Sequence, residues 1–415
     1  MTLSDAVRTL ATTATIVGTS DQALVSDVAA LQRELMRATP GLPGKNALTT
    51  AQGLHRDLYM RPVAAMLELA RGTALNDDPE IAAVARRWPV LRHLGIFARN
   101  PQTGVLRLDD AALQFVGPNQ RRVLSEELGI GFGILAAKIW CRARNPAIGP
   151  ITAIDVDKAL YTRSVPNLQR NGRRQPDYLL SYADSVNPGL TVYELLETKG
   201  TVSQSNAKGQ LGRAVTQLAG LTIGGRAMTG LATSTVSNDG GLTMMAVDPE
   251  ESPITWAPSE DKIEFWRTGE ARPRKDVFQL DVDADQFFAT ASNVDKASLA
   301  EYSGQYDAAM RWLPGFRARG SDRGNANVQR ETEIGEFVGT EIVVDAQGTS
   351  PRLRVFQGVE KHVAEELRTL DTVAVAEAQR SFAQIELLLA TSDEGEQNTA
   401  VAFSSDGSML ELSFE

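Results

Sequence analysis

The stretch from Pro176 to Lys199 constrains the fold of this chain most strongly. It holds two short apolar runs, Tyr178 to Tyr182 and Thr191 to Thr198, and residues 187–189 between them read Asn-Pro-Gly. Short apolar runs that are separated by turn residues are typical of a β-hairpin. The stretch therefore predicts two antiparallel neighbouring strands.

Charged residues stand at one end of this hairpin. Side chains alternate across a strand, so Glu197 and Lys199 point to one face, and Asp177 is expected to lie across from them. Two carboxylates this close repel each other, and a divalent cation would relieve the repulsion. Mg²⁺ needs only one or two carboxylates together with waters and a substrate phosphate. Lys199 is suited to hold an attacking water and to offset the charge that develops on a phosphate. The pattern predicts a site for phosphodiester hydrolysis with Mg²⁺, or Mn²⁺ in its place.

With Pro176, Asp177, Glu197 and Lys199 in this context, the chain resembles the PD-(D/E)xK superfamily of restriction-like endonucleases. The resemblance covers roughly residues 121 to 247. It implies an α/β fold with a restriction-endonuclease-like core, in which a mixed central sheet is flanked by helices. It also implies a metal-dependent endonuclease that hydrolyses DNA, in restriction or in defence against foreign DNA. The alternative is a nuclease-fold protein without catalysis that serves as a binding or scaffold protein.

The resemblance implies further site residues on the helices before and after the hairpin. A helix before the hairpin often supplies another acid, and Glu127 is favoured slightly over Glu126 as this catalytic residue and metal ligand. On the helix after the hairpin, Gln210 and Gln217 are seven residues apart and share one face with Arg213. Gln217 is expected in the catalytic set, and Gln210 and Arg213 are expected to bind nucleic acid.

At 415 residues the chain is longer than one ordinary domain. Helical spacing dominates the first hundred residues, which predicts an N-terminal helical region over residues 1–115. The nuclease-like domain is expected over residues 116–250, and a C-terminal α+β domain of unknown role over residues 251–415. The predicted elements of the middle domain are a helix at 121–141, the hairpin, a helix at 203–218 and strands at 228–236 and 242–247.

Three glycines lie within the long helical pattern, at Gly129, Gly131 and Gly133. A run of this kind suggests a nucleotide-binding loop only where a strand precedes it, and none is predicted there. Close packing of the helix explains these glycines better.

Charge is unevenly spread along the chain, whose formal net charge is -10. Residues 86–144 hold ten Lys and Arg against four acids, about +6, and residues 331–415 hold seventeen acids against five bases, about -12. A phosphate polymer is expected to be attracted to the first region, and the second suggests a protein partner. Solvated helix faces explain either region about equally well.

Arg173 and Arg174, just ahead of Asp177, are expected to contact the phosphate backbone, although a plain solvated loop is nearly as well supported.

Cys141 is the single cysteine, so no intrachain disulfide forms and a reducing, cytoplasmic setting is expected. No run approaches the roughly 18 to 20 apolar residues of a membrane helix.

Cutting both strands of DNA needs two sites or two events, so a homodimer or larger oligomer is expected. The predicted partners are therefore DNA, further copies of the chain and a protein that binds the acidic C-terminal domain, without a membrane.

Overall fold

The computed structural model describes residues 2–73, 85–146, 149–161, 175–184, 187, 189–238, 240–251, 253–256, 279–313, 328–345, 352–389 and 398–414. The helices within these ranges are α1 (Leu3–Ala11), α2 (Gln22–Ala38), α3 (Pro62–Gly72), α4 (Trp88–Arg92), α5 (Asp110–Leu113), α6 (Pro118–Arg144), α7 (Val156–Tyr161), α8 (Gln204–Leu218), α9 (Ala284–Tyr302), α10 (Tyr306–Trp312), α11 (Lys361–Thr369) and α12 (Thr372–Leu389). The strands are β1 (Ala14–Thr19), β2 (Leu48–Thr50), β3 (Leu58–Met60), β4 (Phe97–Arg99), β5 (Leu106–Leu108), β6 (Ile151–Asp155), β7 (Tyr178–Ala183), β8 (Thr191–Thr201), β9 (Leu221–Ile223), β10 (Arg226–Ala227), β11 (Gly230–Asn238), β12 (Gly241–Pro249), β13 (Ile254–Trp256), β14 (Leu280–Val282), β15 (Val328–Thr332), β16 (Gly335–Asp345), β17 (Arg352–Glu360), β18 (Thr399–Phe403) and β19 (Ser408–Phe414). None of the described helices combines the length and apolar composition of a membrane span.

A mixed sheet of nine strands lies at the centre of the fold. Its main path runs β3-β1-β12-β11-β8-β7-β6, while β2 pairs with β12 and β13 pairs with β8. The neighbours β6, β7 and β8 are antiparallel, whereas β8 and β11 are parallel. A parallel pair needs a crossover connection, which α8 provides. The α/β class and the mixed sheet flanked by helices are thus confirmed.

The helices α6 and α8 cover opposite faces of β8. Leu195 packs in the apolar cluster that includes α8, and the next residue, Leu196, packs in the cluster that includes α6. The stripe that α8 turns toward the sheet has three- and four-residue spacing and consists of Ala207, Leu211, Ala214, Val215 and Leu218. Odd-numbered residues of β8 therefore face α8, and even-numbered residues face α6.

The first hundred residues are not a helical region alone. They contain β1, β2 and β3, and β1 joins the central sheet by pairing parallel to β12 and antiparallel to β3. The strands β1, β2 and β3 therefore extend the central sheet, so the described part of residues 1–115 is not the purely helical region that the sequence predicted. These strands have six, three and three residues, which is too short for periodicity to separate a strand from a helix or loop.

A second, antiparallel sheet of five strands, ordered β15-β16-β17-β19-β18, forms the C-terminal α+β unit together with α11 and α12. Two helices, α9 and α10, precede this sheet in the chain. They are separated at Gly304, whose φ of +77° is the left-handed conformation that favours glycine.

The turn between β18 and β19 is buried, although turns usually lie at the surface. Asp406 Oδ2 accepts a hydrogen bond of 2.7 Å from Arg71 of α3. Lys138 of α6 donates to Ser404 Oγ at 2.7 Å, and the N–H of Ile151 donates to Ser405 Oγ at 3.1 Å. The C-terminal unit is therefore anchored in the rest of the protein by its own hairpin turn.

Glycines let α6 approach β8 closely, as the sequence predicted. A Cβ added to Gly200 would lie 1.6 Å from the main-chain oxygen of Ser125, and one added to Gly129 would lie 2.7 Å from that of Lys199. At Gly131 the added atom would meet the main-chain oxygen of Ala65 in α3, at 2.4 Å. The helix is thus held tightly between the sheet and α3.

We expect Gly200→Ala to lower the free energy of unfolding by about 2 kcal/mol, because two backbones would have to separate. The matched control is Gly209→Ala on α8, where no described atom lies within 4 Å of an added Cβ. Alanine should stabilise that helix by about 0.5 to 1 kcal/mol. Urea denaturation of both variants checks the two signs. A Gly200→Ala protein as stable as the parent would contradict the close approach.

Candidate active site

Asp177, Glu197 and Lys199 lie together near the carboxyl end of β8. Glu197 and Lys199 are two residues apart on the face of β8 that α8 covers. The register of the hairpin pairs Tyr178 with Leu196, which brings Asp177, just before β7, beside Glu197. The structure therefore brings together the three residues that the hairpin pattern singled out.

Hydrogen bonds fix the orientation of these side chains. The N–H of Asp177 donates to Glu197 Oε2 at 2.9 Å, and Asp177 Oδ2 accepts from the N–H and the hydroxyl of Thr198 at 3.0 and 3.2 Å. Lys199 Nζ donates to Glu197 Oε1 and lies 3.8 Å from Asp177 Oδ2. The exposed fractions of the side chains are 0% for Glu197, 24% for Lys199 and 34% for Asp177. The cluster thus opens to solvent through Asp177 and Lys199, with Glu197 at its base.

The electrostatics of the cluster favour an added cation. Burial raises the pKa of Glu197 well above its ordinary value, and the charge of Asp177 raises it further, while Lys199 opposes both effects. For Lys199, burial lowers the pKa, but the charges of Glu197 and Asp177 outweigh burial and leave the pKa raised. One ammonium therefore compensates two neighbouring carboxylates only in part, and a divalent ion would complete the compensation.

Three polar residues near the cluster were not singled out by the sequence. The hydroxyl of Thr198 holds Asp177, and the main-chain oxygen of Gln175 accepts a bond of 3.4 Å from Gln217 Nε2. Ser234 is fully buried and lies beside Lys199, because β8 and β11 pair these two residues. Ser234 lies in a run of hydroxyl residues, Thr233 to Thr235, so the sequence did not distinguish it, and its place beside Lys199 follows only from the strand pairing.

Glu127 is not brought to the carboxylate pair. Its carboxylate pairs with Arg92 and lies 3.4 Å from Nε2 of His93. It is on α6, which covers the face of β8 opposite to Glu197, and Gly131, one turn further along α6, packs against α3. The side of α6 that carries Glu127 therefore faces α3 and α4 instead of the sheet. The prediction that Glu127 is a catalytic residue and metal ligand beside Asp177 and Glu197 is thus wrong.

Glu126, the alternative acid, is not brought to the carboxylate pair either. Its side chain is 60% exposed and lies 3.7 Å from Arg122. The sequence located α6 correctly but not its rotation. Because α6 is buried on two sides, its apolar residues form no single stripe from which the rotation can be derived.

The polar stripe of α8 lies over the cluster, as expected, but its amides are used within the fold. Gln210 Nε2 donates to the main-chain oxygen of Gly200 at 3.2 Å, and its Oε1 accepts from Ser234 Oγ at 3.2 Å. The amide of Gln210 is thus engaged within the fold, and the nucleic-acid contact that the sequence predicted for it stays a prediction. Gln217 holds the segment just before Asp177. Arg213 is exposed, and its charge acts on Lys199.

The expected cationic surface is only partly present. Arg173 and Arg174 lie outside the described residues. Within residues 86–144, Arg86 is buried 2.7 Å from Glu301. Lys138 pairs with Glu68, and Arg144 pairs with Glu194. The expected attraction of a phosphate polymer to this stretch is not supported by where these cations lie.

The donors present suit Mg²⁺. Within the described ranges, no group of three or more His, Cys, Asp and Glu side chains is arranged to hold a metal ion. Asp177 and Glu197 offer carboxylate oxygens, which Mg²⁺ and Mn²⁺ prefer, and Mg²⁺ commonly uses one or two carboxylates with waters and a substrate phosphate. The pair therefore fits an ion that is completed by its substrate.

Comparisons with protein-family models, with curated proteins and with solved structures found no match for this chain. The functional assignment therefore depends on the geometry of Asp177, Glu197 and Lys199.

Proposed function

We propose that this protein is a metal-dependent endonuclease that hydrolyses phosphodiester bonds of DNA, with Mg²⁺ as the metal and Mn²⁺ as a substitute. The observation that carries the proposal is the convergence of Asp177, Glu197 and Lys199 at the end of β8, with Glu197 buried and the other two open to solvent. The mixed sheet with helices on both faces agrees with the restriction-endonuclease-like core that the hairpin resembles. Restriction or defence against foreign DNA follows from that resemblance alone.

The residues of the cluster would divide the work. Asp177 and Glu197 would hold the metal, which when bound polarises the phosphate and promotes ionisation of water. Thr198 fixes Asp177, and the N–H of Asp177 fixes Glu197, so the carboxylates are already oriented. The partly exposed ammonium of Lys199 can orient the attacking water or offset charge on the phosphate. Arg213 lies on the solvent side, where a cation favours an incoming phosphate.

We expect the protein to nick or linearise plasmid DNA in the presence of Mg²⁺ or Mn²⁺. Excess EDTA should reduce cleavage to background, and excess Mg²⁺ should restore it, because the carboxylates alone supply no electrophile for the phosphate. Gel analysis of plasmid forms measures both steps. Cleavage that persists in EDTA would exclude the metal-dependent reaction.

A second candidate is a nuclease-fold binding or scaffold protein without catalysis. It is favoured by the observation that only two carboxylates meet at the cluster among the described residues, while Glu127 pairs with Arg92. This candidate requires binding of DNA or protein that neither a chelator nor Asp177→Ala alters. Calorimetric titration with Mg²⁺ separates the two, since the endonuclease must take up the ion and lose that uptake in Asp177→Ala.

A further inference from the structure

The carboxylate of Asp177 is held by one residue of the neighbouring strand. Within the described part of the chain, both hydrogen bonds that its Oδ2 accepts come from Thr198, one from the N–H at 3.0 Å and one from the hydroxyl at 3.2 Å. Asp177 lies just before β7 and its side chain is 34% exposed, so little packing restrains it. The direction of the carboxylate therefore depends on Thr198.

The other branch of the Thr198 side chain packs against α6. Thr198 belongs to the even-numbered face of β8 and is buried. A Cβ added to Gly133 would lie 2.7 Å from Thr198 Cγ2, so the methyl group occupies the space that a side chain at position 133 would need. Methyl and hydroxyl share one Cβ, and χ1 is confined to staggered positions. Holding the methyl against the helix thus also sets the direction of the hydroxyl.

Further contacts bound the space around this methyl group. Gly129, one turn before Gly133 and on the same side of α6, would meet the backbone at the end of β8 at 2.7 Å if it carried a Cβ. Thr233 pairs with Thr198 across β11 and β8, and its hydroxyl would lie 2.9 Å from a Cβ at Gly133. The helix and the adjacent strand therefore enclose the Thr198 methyl together.

We propose that α6 is a positioning element for the metal site and acts through Thr198: the absence of a side chain at Gly133 seats the Thr198 methyl against the helix, and the hydroxyl is thereby directed to Asp177. The inference rests on the proposed function, which makes Asp177 a metal ligand. It gives α6 a role at the site although the carboxylates of Glu126 and Glu127 pair elsewhere. Removing a group that orients a metal ligand commonly weakens metal binding by about 10- to 100-fold.

The test is the affinity of the full-length protein for Mn²⁺ alone, without DNA, measured by electron paramagnetic resonance of the free ion. Thr198→Val keeps the shape of the side chain but removes the hydroxyl. It should weaken binding by about tenfold, because the N–H at this position still donates to Asp177. Thr198→Ser keeps the hydroxyl and should bind more tightly than Thr198→Val. The matched control is Thr235→Val, which removes a buried hydroxyl on the same face, 3.9 Å from Met244 Sδ, and should bind like the parent.

A pair of glycine variants separates the contribution of the helix from a general loss of stability. Gly133→Ala would place a Cβ against Thr198 and Thr233, whereas Gly131→Ala would place one 2.4 Å from the main-chain oxygen of Ala65, on the side of α3. Both variants should lower the midpoint of urea denaturation, because each forces neighbouring atoms apart. Only Gly133→Ala should also weaken Mn²⁺ binding, by about tenfold.

Parent affinity in Thr198→Val, or equal affinities of the two glycine variants, would overturn the proposal. Plasmid cleavage is measured separately on the same proteins. If Mn²⁺ binding requires Asp177 and the Thr198 hydroxyl but the protein cleaves no DNA, the proposed function is refuted and the positioning role is not. A parent protein that takes up no Mn²⁺ would overturn both.

Discussion

Glu197→Gln should reduce plasmid cleavage by about a thousandfold, or roughly 4 kcal/mol of transition-state stabilisation. Glutamine has nearly the same shape as glutamate but no charge, so its amide oxygen holds a divalent ion far more weakly and forms no ion pair with Lys199. The loss of activity should not bring a loss of stability. Burial and the charge of Asp177 raise the pKa of Glu197, so its ionised form is unfavourable in the folded protein. The protein therefore loses stability as the pH rises above the pKa that Glu197 has in the unfolded chain. We therefore expect the variant to unfold at the parent temperature or above it.

Glu194→Gln is the matched control for this prediction. Glu194 is as fully buried as Glu197 and belongs to the same strand, but it faces α6 and pairs with Arg144 at 2.7 Å. Removing its charge leaves that arginine without its carboxylate, so this variant should be less stable yet cleave at the parent rate. Steady-state cleavage and thermal denaturation of both variants provide the comparison. Parent-level cleavage by Glu197→Gln would end the assignment of the cluster as a hydrolytic site.

Asp406→Ala should lower the free energy of unfolding by about 3 to 5 kcal/mol. The side chains of Asp406 and Arg71 are 3% and 8% exposed, and the variant would leave the arginine charge buried with Asp295, at 3.7 Å, as its remaining ion-pair partner among the described residues. Asp406 also accepts from the N–H and the hydroxyl of Ser408 inside the turn. Removing it therefore weakens both the turn and the contact that anchors the C-terminal unit on α3.

Urea denaturation measures this effect, and Glu377→Ala on α12 is the control. The Glu377 side chain is 66% exposed and 3.8 Å from Arg380, so its loss should change stability by less than about 0.5 kcal/mol. Equal stabilities of the two variants would contradict the anchoring role of Asp406.

The same contact should appear in the pH dependence of stability. Burial alone would raise the pKa of Asp406, but Arg71 and Lys138 outweigh burial and lower it below the ordinary value. The pKa of Asp406 is lower in the folded protein than in the unfolded chain. Its ionised side chain therefore stabilises the fold at any pH above the unfolded pKa, and this stabilisation is lost as the pH falls through the folded pKa. Asp406→Ala should remove this part of the acid dependence.

The anchored turn also changes how the C-terminal unit is understood. Ser405, Asp406 and Gly407 lie in the hairpin turn between β18 and β19. Its burial against α3 and α6 shows that the unit is built into the same core as the central sheet. A substitution in this turn would therefore remove contacts that α3 and α6 make with it.

The sequence alone determined the hairpin and the convergence of Asp177, Glu197 and Lys199. Strand side chains alternate with a period of two, and a short turn forces two strands to pair, so a few neighbouring residues carry all the information needed. The shared face of Gln210, Arg213 and Gln217 on α8 followed in the same way from its helical spacing. Each of these features depends on contacts close in sequence.

Only the tertiary structure decided the rotation of α6, the strands of the first hundred residues and the place of Ser234 beside Lys199. A helix that is buried on two sides shows no single apolar stripe, so Glu127 was assigned to the wrong side. The pairing of β8 with β11, and of β1 with β12, joins segments that are distant along the chain. Such pairings are selected by the packing of the whole core, because no local pattern specifies which distant strand becomes the neighbour.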